Sequence, residues 1–241
     1  MKAWPNFATL AALVALVFFV LVIYGYNWGW WDLGVLFTWV HRMPIALGFA
    51  SLLAAASAGA YMFRRSIPGL VGALAIAIAC AGMAYLPIWM RGEASKVPPI
   101  HDITTDTEEP PAFVAIAPLR ADAPNPAEYD REQTAQQLEA FPQLQSLVLS
   151  VPMDEAFAIA LGAVKAEGLK VVAAEEAEGR IEAYATVPMF GFVDDVVIRL
   201  RSAEEGTEID IRSKSRVGRS DLGFNARRIE SLLDRMEAEA S

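Results

Sequence analysis

Cysteine is almost missing from this chain: Cys80 is the only one in 241 residues. That excludes a disulfide scaffold and any thiolate cluster for zinc or redox chemistry. Histidine is nearly as scarce, with His41 and His101 alone. Charge is missing from the first 90 residues, which hold only Lys2, Asp32, Arg42, Arg64 and Arg65, a net of +3. Beyond them lie the other 16 basic and 28 acidic side chains, a net of −12, and no tryptophan at all. Such a division excludes a cytosolic globule, a disordered chain and a basic nucleic-acid binder, and addresses two solvents with one polypeptide.

The uncharged part contains three apolar runs. Phe7 to Tyr24 is long enough to cross most of a hydrocarbon core of roughly 30 Å. Lys2 precedes it as in a secretory signal, but Gly25 to Trp31 offers no small-x-small cleavage site, so an uncleaved first helix is expected. Pro44 to Phe63 and Ile67 to Met90 follow, joined only by Arg64-Arg65-Ser66, which requires an antiparallel helical hairpin. Pro68 suits a first helical turn, and Pro87 marks a kink near the end of the third helix. All six tryptophans (4, 28, 30, 31, 39 and 89) fall at or near the ends of these runs, as an interfacial belt would require. Asn27 to Arg42 is too short and too polar at its ends to span, and is expected to lie at the surface between the first two helices. Small residues repeat every fourth position (Ala50, Ala54, Ala58; Ser51, Ala55, Gly59; Ala73, Ala77, Ala81), which favours close packing of the three helices on each other over a dimer seam. No Asp, Glu, Lys, Arg or His lies inside the apolar cores, which argues against an ion or proton path. Lys2 and the Arg64-Arg65 pair weigh one side as cytoplasmic and leave the C-terminal domain outside, against Arg42, Arg91 and Lys96 on the other flank.

Residues 1–92 therefore read as a three-helix transmembrane region and 93–144 as a Pro- and acid-rich wrapping segment. Residues 145–241 read as an α+β domain. In that domain a strand at Leu147 to Val151 precedes a helix from Asp154 to Glu167, with acids at its start, Lys165 in its last turn and Gly168 after it. Strands are expected at Lys170 to Ala174, Arg180 to Val187, Asp195 to Arg201 and Thr207 to Ser215, linked at hairpin length. A final helix ends near Ala238. Alternation places Ile181, Ala183, Ala185 and Val187, then Val196, Ile198 and Leu200, then Ile209, Ile211 and Ser213 on one side. The expected fold is an antiparallel sheet covered by helices on one face, with a polar face left over.

Candidate chemistry centres on Arg212 to Arg228, with six positive charges and one negative in an acidic domain. Period two aligns Arg212, Lys214 and Arg216, and the strip runs through Arg219 and Ser220 into a turn that delivers a helix N-terminus. One reading is an anion site for phosphate, a lipid head group or an envelope polymer. The other is that these cations pair with Glu182, Asp194, Asp195 and Asp210 while Ser220 or Asp221 caps the helix. A phosphate loop is excluded, because Phe224-Asn225 stand where Lys-Ser/Thr is required. His101, Asp102 and Asp106 form a second cluster. Without another histidine in the domain it reads as an acidic strap laid against the Arg strip, and no metal or cofactor is expected. Asp194 and Asp195 point to opposite faces of a strand and cannot act as a carboxylate pair. There is no GxSxG, no HExxH and no cysteine nucleophile.

The runs His101-Asp-Ile-Thr-Thr-Asp-Thr-Glu-Glu-Pro-Pro-Ala-Phe113, Phe192-Val-Asp-Asp-Val-Val-Ile198 and Arg212 to Ile229 stand in the order found in the bacterial family known as domain of unknown function 1499, which residues 98–238 resemble. The resemblance implies an exported or membrane-tethered envelope domain. It brings no established activity, ligand or site residues. The expectation is a multi-pass protein of the bacterial inner membrane with a periplasmic C-terminal domain, whose partners are the lipid bilayer and an anionic envelope component or membrane protein. A non-enzymatic binding module is favoured. The alternatives are an envelope hydrolase or transferase using His101 with Asp102 or Asp106, and a module that only supports assembly of a neighbouring complex.

Overall fold

The computed structural model describes residues 3–187 and 190–241, so Lys2, Pro188 and Met189 lie outside the described residues. The chain divides into two compact units between Glu93 and Ala94.

The first unit contains α1 (Trp4–Asn27), α2 (Leu33–Phe63) and α3 (Ile67–Ala94), all long and apolar enough to cross a membrane. One expectation is corrected here. Asn27 to Arg42 is not a separate surface segment: Asn27 ends α1, and Leu33 to Arg42 are the first turns of the continuous helix α2, with Pro44 inside it. The polar groups that argued against a span find partners on their own chain. Asp32 caps the start by accepting from the Val35 amide at 2.9 Å, Thr38 Oγ1 donates to the Gly34 carbonyl at 2.8 Å, and His41 Nδ1 lies 3.1 Å from the Phe37 carbonyl oxygen. Leu36, Val40, Met43 and Leu47 then form one buried stripe. Trp31 folds back onto α1. Its indole N–H donates to the Val22 carbonyl at 2.9 Å, and its ring occupies the space a β-carbon on Gly25 would need. Ala50, Ala54, Ala58, Ala73 and Ala77 are buried, while Ala55 and Ala81 are exposed. Close approach lets Ser51 Oγ donate to the Ala77 carbonyl at 2.9 Å, and at an exposed position Tyr61 Oη donates to Asn6 Oδ1 at 2.6 Å.

The second unit runs β1 (Asp102–Thr104), α4 (Thr134–Ala140), β2 (Leu147–Leu149), α5 (Met153–Ala166), β3 (Lys170–Glu175), β4 (Arg180–Thr186), β5 (Val193–Ala203), β6 (Gly206–Ser215) and α6 (Phe224–Glu239). All pairings are antiparallel, in the order β1-β6-β5-β4-β3, and β2 also pairs with β6, on the edge that β1 shares. This is an α+β domain. The residues of expected inward alternation, Ile181, Ala183, Val196, Ile198, Leu200, Ile209 and Ile211, join Phe157, Ala160 and Val164 of α5 and Ile229, Leu232 and Met236 of α6 in one core. Burying such side chains contributes roughly 1.5–3 kcal/mol each. Glycine is required where β5 turns into β6: Gly206 has φ +134°, and a β-carbon there would collide with the Leu149 carbonyl oxygen.

The opposite face departs from the expectation of a polar surface left over. Residues of the Pro-rich segment lie across it, and Phe113 and Ile116 pack with Val197 and Val172 as a second, small apolar cluster. That segment also adds a strand, β1, pairing Asp102 with Lys214, Ile103 with Ser213 and Thr104 with Arg212. Three residues are too few to show period two, so the strand is invisible to pattern reading.

Candidate functional site

Between the sheet and the segment crossing it lies a layer of charge. Register builds it. Residues opposite one another on neighbouring antiparallel strands share a face, so β6 contributes Asp210, Arg212 and Lys214, β5 contributes Asp195, Arg199 and Arg201, β4 contributes Arg180 and Glu182, and β1 contributes Asp102. Asp102, Lys214 and Arg212 are 0%, 1% and 2% exposed. The Asp102 carboxylate accepts from Arg212 Nε at 2.8 Å and Nη2 at 2.9 Å, and Lys214 Nζ lies 3.0 Å away. Burial alone would raise the Asp102 carboxyl, but Arg212 and Lys214 overcome it and hold the group below its ordinary range. Lys214 is pushed down by burial against the pull of Asp102.

The cations also hold the crossing segment by its backbone. Arg212 donates to the carbonyls of Pro111 and Ala127 at 3.2 and 3.0 Å, and Lys214 to that of Glu128 at 2.6 Å. Arg216 makes a two-pronged pair with Asp195 at 2.8 and 2.9 Å and donates to the Leu119 carbonyl at 3.0 Å. The Arg212 guanidinium sits over the rings of Phe113 and Tyr129, 4.9 and 5.3 Å from their centroids. From the other direction Glu182, fully buried, accepts the amides of Val114, Ala115 and Ile116 at 2.8 to 3.1 Å and pairs with Arg180. Farther along, Arg199 bridges Asp106 and Asp210 at 2.9 and 2.8 Å. The Asp106 carboxyl, which burial would raise, is held low by the Glu109 and Glu108 amides and by Arg199.

The candidate residues thus fall into two groups. Arg212, Lys214 and Arg216 are engaged with Asp102, Asp195 and backbone carbonyls, and Asp102 and Asp106 are engaged with cations and amides. Asp194 and Asp195 do point to opposite faces, Asp194 toward Arg228 at 2.9 Å on the helix side. The start of α6 is capped by Asp221, which accepts the Gly223 and Asn225 amides at 2.9 and 2.5 Å, whereas the Ser220 hydroxyl accepts from the Leu222 amide at 3.3 Å. Pattern reading missed Arg120, which is buried, lies 3.2 Å from Asp195 and donates to the Asn125 carbonyl at 2.9 Å. Its only signal was an isolated cation in a Pro-rich stretch.

Arg219 and His101 behave differently. Arg219 is exposed and makes no ion pair with a described residue. With His101, Asp130, Glu132, Gln133 and Gln136 it lines a cleft of about 330 Å³. Gln133 organises the floor. Its Oε1 accepts the His101 backbone amide at 3.0 Å, and its Nε2 donates to Asp130 Oδ2 at 2.6 Å and lies 3.4 Å from His101 Nδ1. The His101 ring also meets the Arg219 backbone, yet burial and then the Lys214 charge keep it below its ordinary range. A neutral imidazole accepting at Nδ1 and donating at Nε2 fits those contacts. A larger open groove of about 510 Å³ lies between α5 and α6, lined by Ala158, Gly162, Ala166 and Ala238 with only Arg235 and Glu239 as charges. The cleft at His101 is therefore where polar side chains converge.

The family described as "Protein of unknown function (DUF1499)" matches residues 102–236, more than half of the chain. The chain belongs to this family. No curated protein and no solved structure matches it. The DUF1499 region begins at Asp102, the carboxylate that anchors the buried layer, and ends at Met236, the last buried residue of α6. The three apolar helices lie outside it. Arg219 falls within the DUF1499 region, whereas His101 stands one residue before it.

Proposed function

We propose that this protein is a non-enzymatic recognition module of the bacterial inner membrane, with three membrane helices and a periplasmic DUF1499 domain whose cleft at His101 and Arg219 receives an anionic group of an envelope component. The observation that carries the reading is the contrast within the basic strip. Its strand residues are consumed by internal carboxylates and carbonyls, while Arg219 alone among Arg212, Lys214, Arg216 and Arg219 is exposed, at the rim of a polar cleft. Ser220 stands beside it with its hydroxyl directed to a backbone amide. A hydrolase or transferase built on His101 needs a carboxylate free to orient the ring or share its proton. Asp102 and Asp106 already have buried or backbone-held duties, and among the described residues the His101 ring makes no hydrogen bond to Asp130 or Glu132 of the cleft, which favours recognition over catalysis.

Two measurements test this. Labelling of a cysteine introduced at Ser202 from the periplasmic side of intact cells is expected to succeed, and exclusive labelling from the cytoplasmic side rejects the topology. Titration of the detergent-solubilised full chain with sn-glycerol 3-phosphate is expected to show saturable binding that Arg219→Glu abolishes and His101→Gln weakens. Binding that is indifferent to Arg219 rejects the cleft as the site.

A further inference from the structure

The composition of the cleft narrows its ligand. Arg219 supplies one positive charge; Asp130 and Glu132 supply two negative ones; the remaining polar lining, His101, Gln133 and Gln136, contributes dipoles. A simple anion drawn to the guanidinium meets two carboxylates across a small space, and a simple cation leaves Arg219 unmatched. Neither Glu132 nor Gln136 is committed through its side chain to a hydrogen bond or ion pair with a described residue, and both are exposed. Asp130 is held in place by Gln133 Nε2 at 2.6 Å and by the Glu132 amide at 3.1 Å, so its carboxylate is fixed at the wall. Opposite charges of both signs at one small polar cavity complement a molecule that carries both signs itself.

Resting on the reading of the cleft as an anion-recognition site, we propose that its ligand is a compact zwitterion in which a phosphate is linked to a primary ammonium, as in a phosphoethanolamine head group. The phosphate takes Arg219, and the ammonium is shared by Glu132 and Asp130, with Gln136 as an amide partner. A primary ammonium is favoured because its three N–H donors match the carboxylate oxygens. Free phosphoethanolamine, a phosphate monoester, and the head group on a lipid, a diester, share the phosphate–ammonium pair, and the experiment separates the two sources.

The test is calorimetric titration of the full chain in detergent with O-phosphoethanolamine, sn-glycerol 3-phosphate and ethanolamine. O-phosphoethanolamine is expected to bind at least about tenfold more tightly than either of the others, the size of one added charge-assisted contact. Glu132→Gln is expected to bring O-phosphoethanolamine within about threefold of glycerol 3-phosphate without weakening the latter, and Arg219→Ala to weaken both phosphates. If glycerol 3-phosphate binds as tightly as O-phosphoethanolamine, the zwitterion is overturned while anion recognition stands. If ethanolamine binds as tightly as O-phosphoethanolamine, or if no probe binds, both readings fall. Both variants alter exposed side chains, and unchanged melting of each confirms that lost binding is not lost folding. For the source, hydrogen exchange at residues 130–136 is compared in nanodiscs containing phosphatidylethanolamine and in nanodiscs of phosphatidylglycerol. Protection in the former alone assigns the lipid, and protection only when soluble O-phosphoethanolamine is added assigns a free solute.

Discussion

Asp102→Asn would replace the central carboxylate of the buried layer with a neutral group of nearly the same shape. Asp102 faces two cations that are themselves almost fully buried, Arg212 through two hydrogen bonds and Lys214 at 3.0 Å. Removing one partner of such a pair leaves uncompensated charge in the interior and typically costs about 3–5 kcal/mol. A single domain has only about 5–15 kcal/mol to lose. At roughly 2–4 °C per kcal/mol for a unit of this size, the melting point should fall by about 6–20 °C. Differential scanning calorimetry of the full chain in detergent reads the loss. Tryptophan fluorescence serves as an internal control, because every tryptophan belongs to the first 90 residues and should report an unaffected helical unit. Acid sensitivity gives an independent check. The folded carboxyl is held below its ordinary value, so its contribution is present above the unfolded pKa of about 3.9 and is lost as pH falls through the lower folded value. The variant should lack that part of the acid transition. A drop below about 2 °C for Asp102→Asn would refute the assignment of a tightly coupled buried triad.

The buried layer and the cleft each give one further outcome. Glu182→Gln removes the charge that holds three consecutive amides, worth about 1.5–3 kcal/mol, and should raise hydrogen exchange at Val114, Ala115 and Ile116 by roughly ten- to a hundredfold while the amides of α5 stay protected. His101 has a folded pKa below 6.5, so as pH falls the unfolded chain takes up the proton first. Stability is complete above the unfolded value and declines on acidification from about pH 6.5, and His101→Gln should flatten that decline in melts recorded from pH 7.5 to 5.

The buried layer also explains what made the basic strip look like a binding surface. An alternating run of cations on β6 has the same pattern whether its neighbours are water, an external anion or the chain itself. What decides is the segment 105–130, whose prolines prevent regular pairing and whose carbonyls are consequently free to accept from Arg212, Lys214 and Arg216. The internal pairing of those cations was legible as one of two readings, including the Asp195 partner of Arg216, but Asp102 as the partner of Arg212 and Lys214 was foreshadowed only as a strap against the strip. Of the cleft, His101 and Arg219 were legible as separate candidates, but their meeting was not. Gln133 and Gln136 are ordinary helix-turn residues by sequence, and Asp130 and Glu132 are two acids among 28 beyond residue 90.

Hydropathy and period are local properties, so the chain alone determined three long apolar helices, an antiparallel sheet with its helix-facing alternation, and the two helices that cover it. Each of those follows from which solvent a given side chain must avoid. Which charges meet, whether the second sheet face is open or covered, and where Arg219 comes to stand beside His101 depend on contacts between residues about 100 positions apart. Opposite charges attract without regard to sequence distance, and only the folded geometry says which of many partners each one reaches.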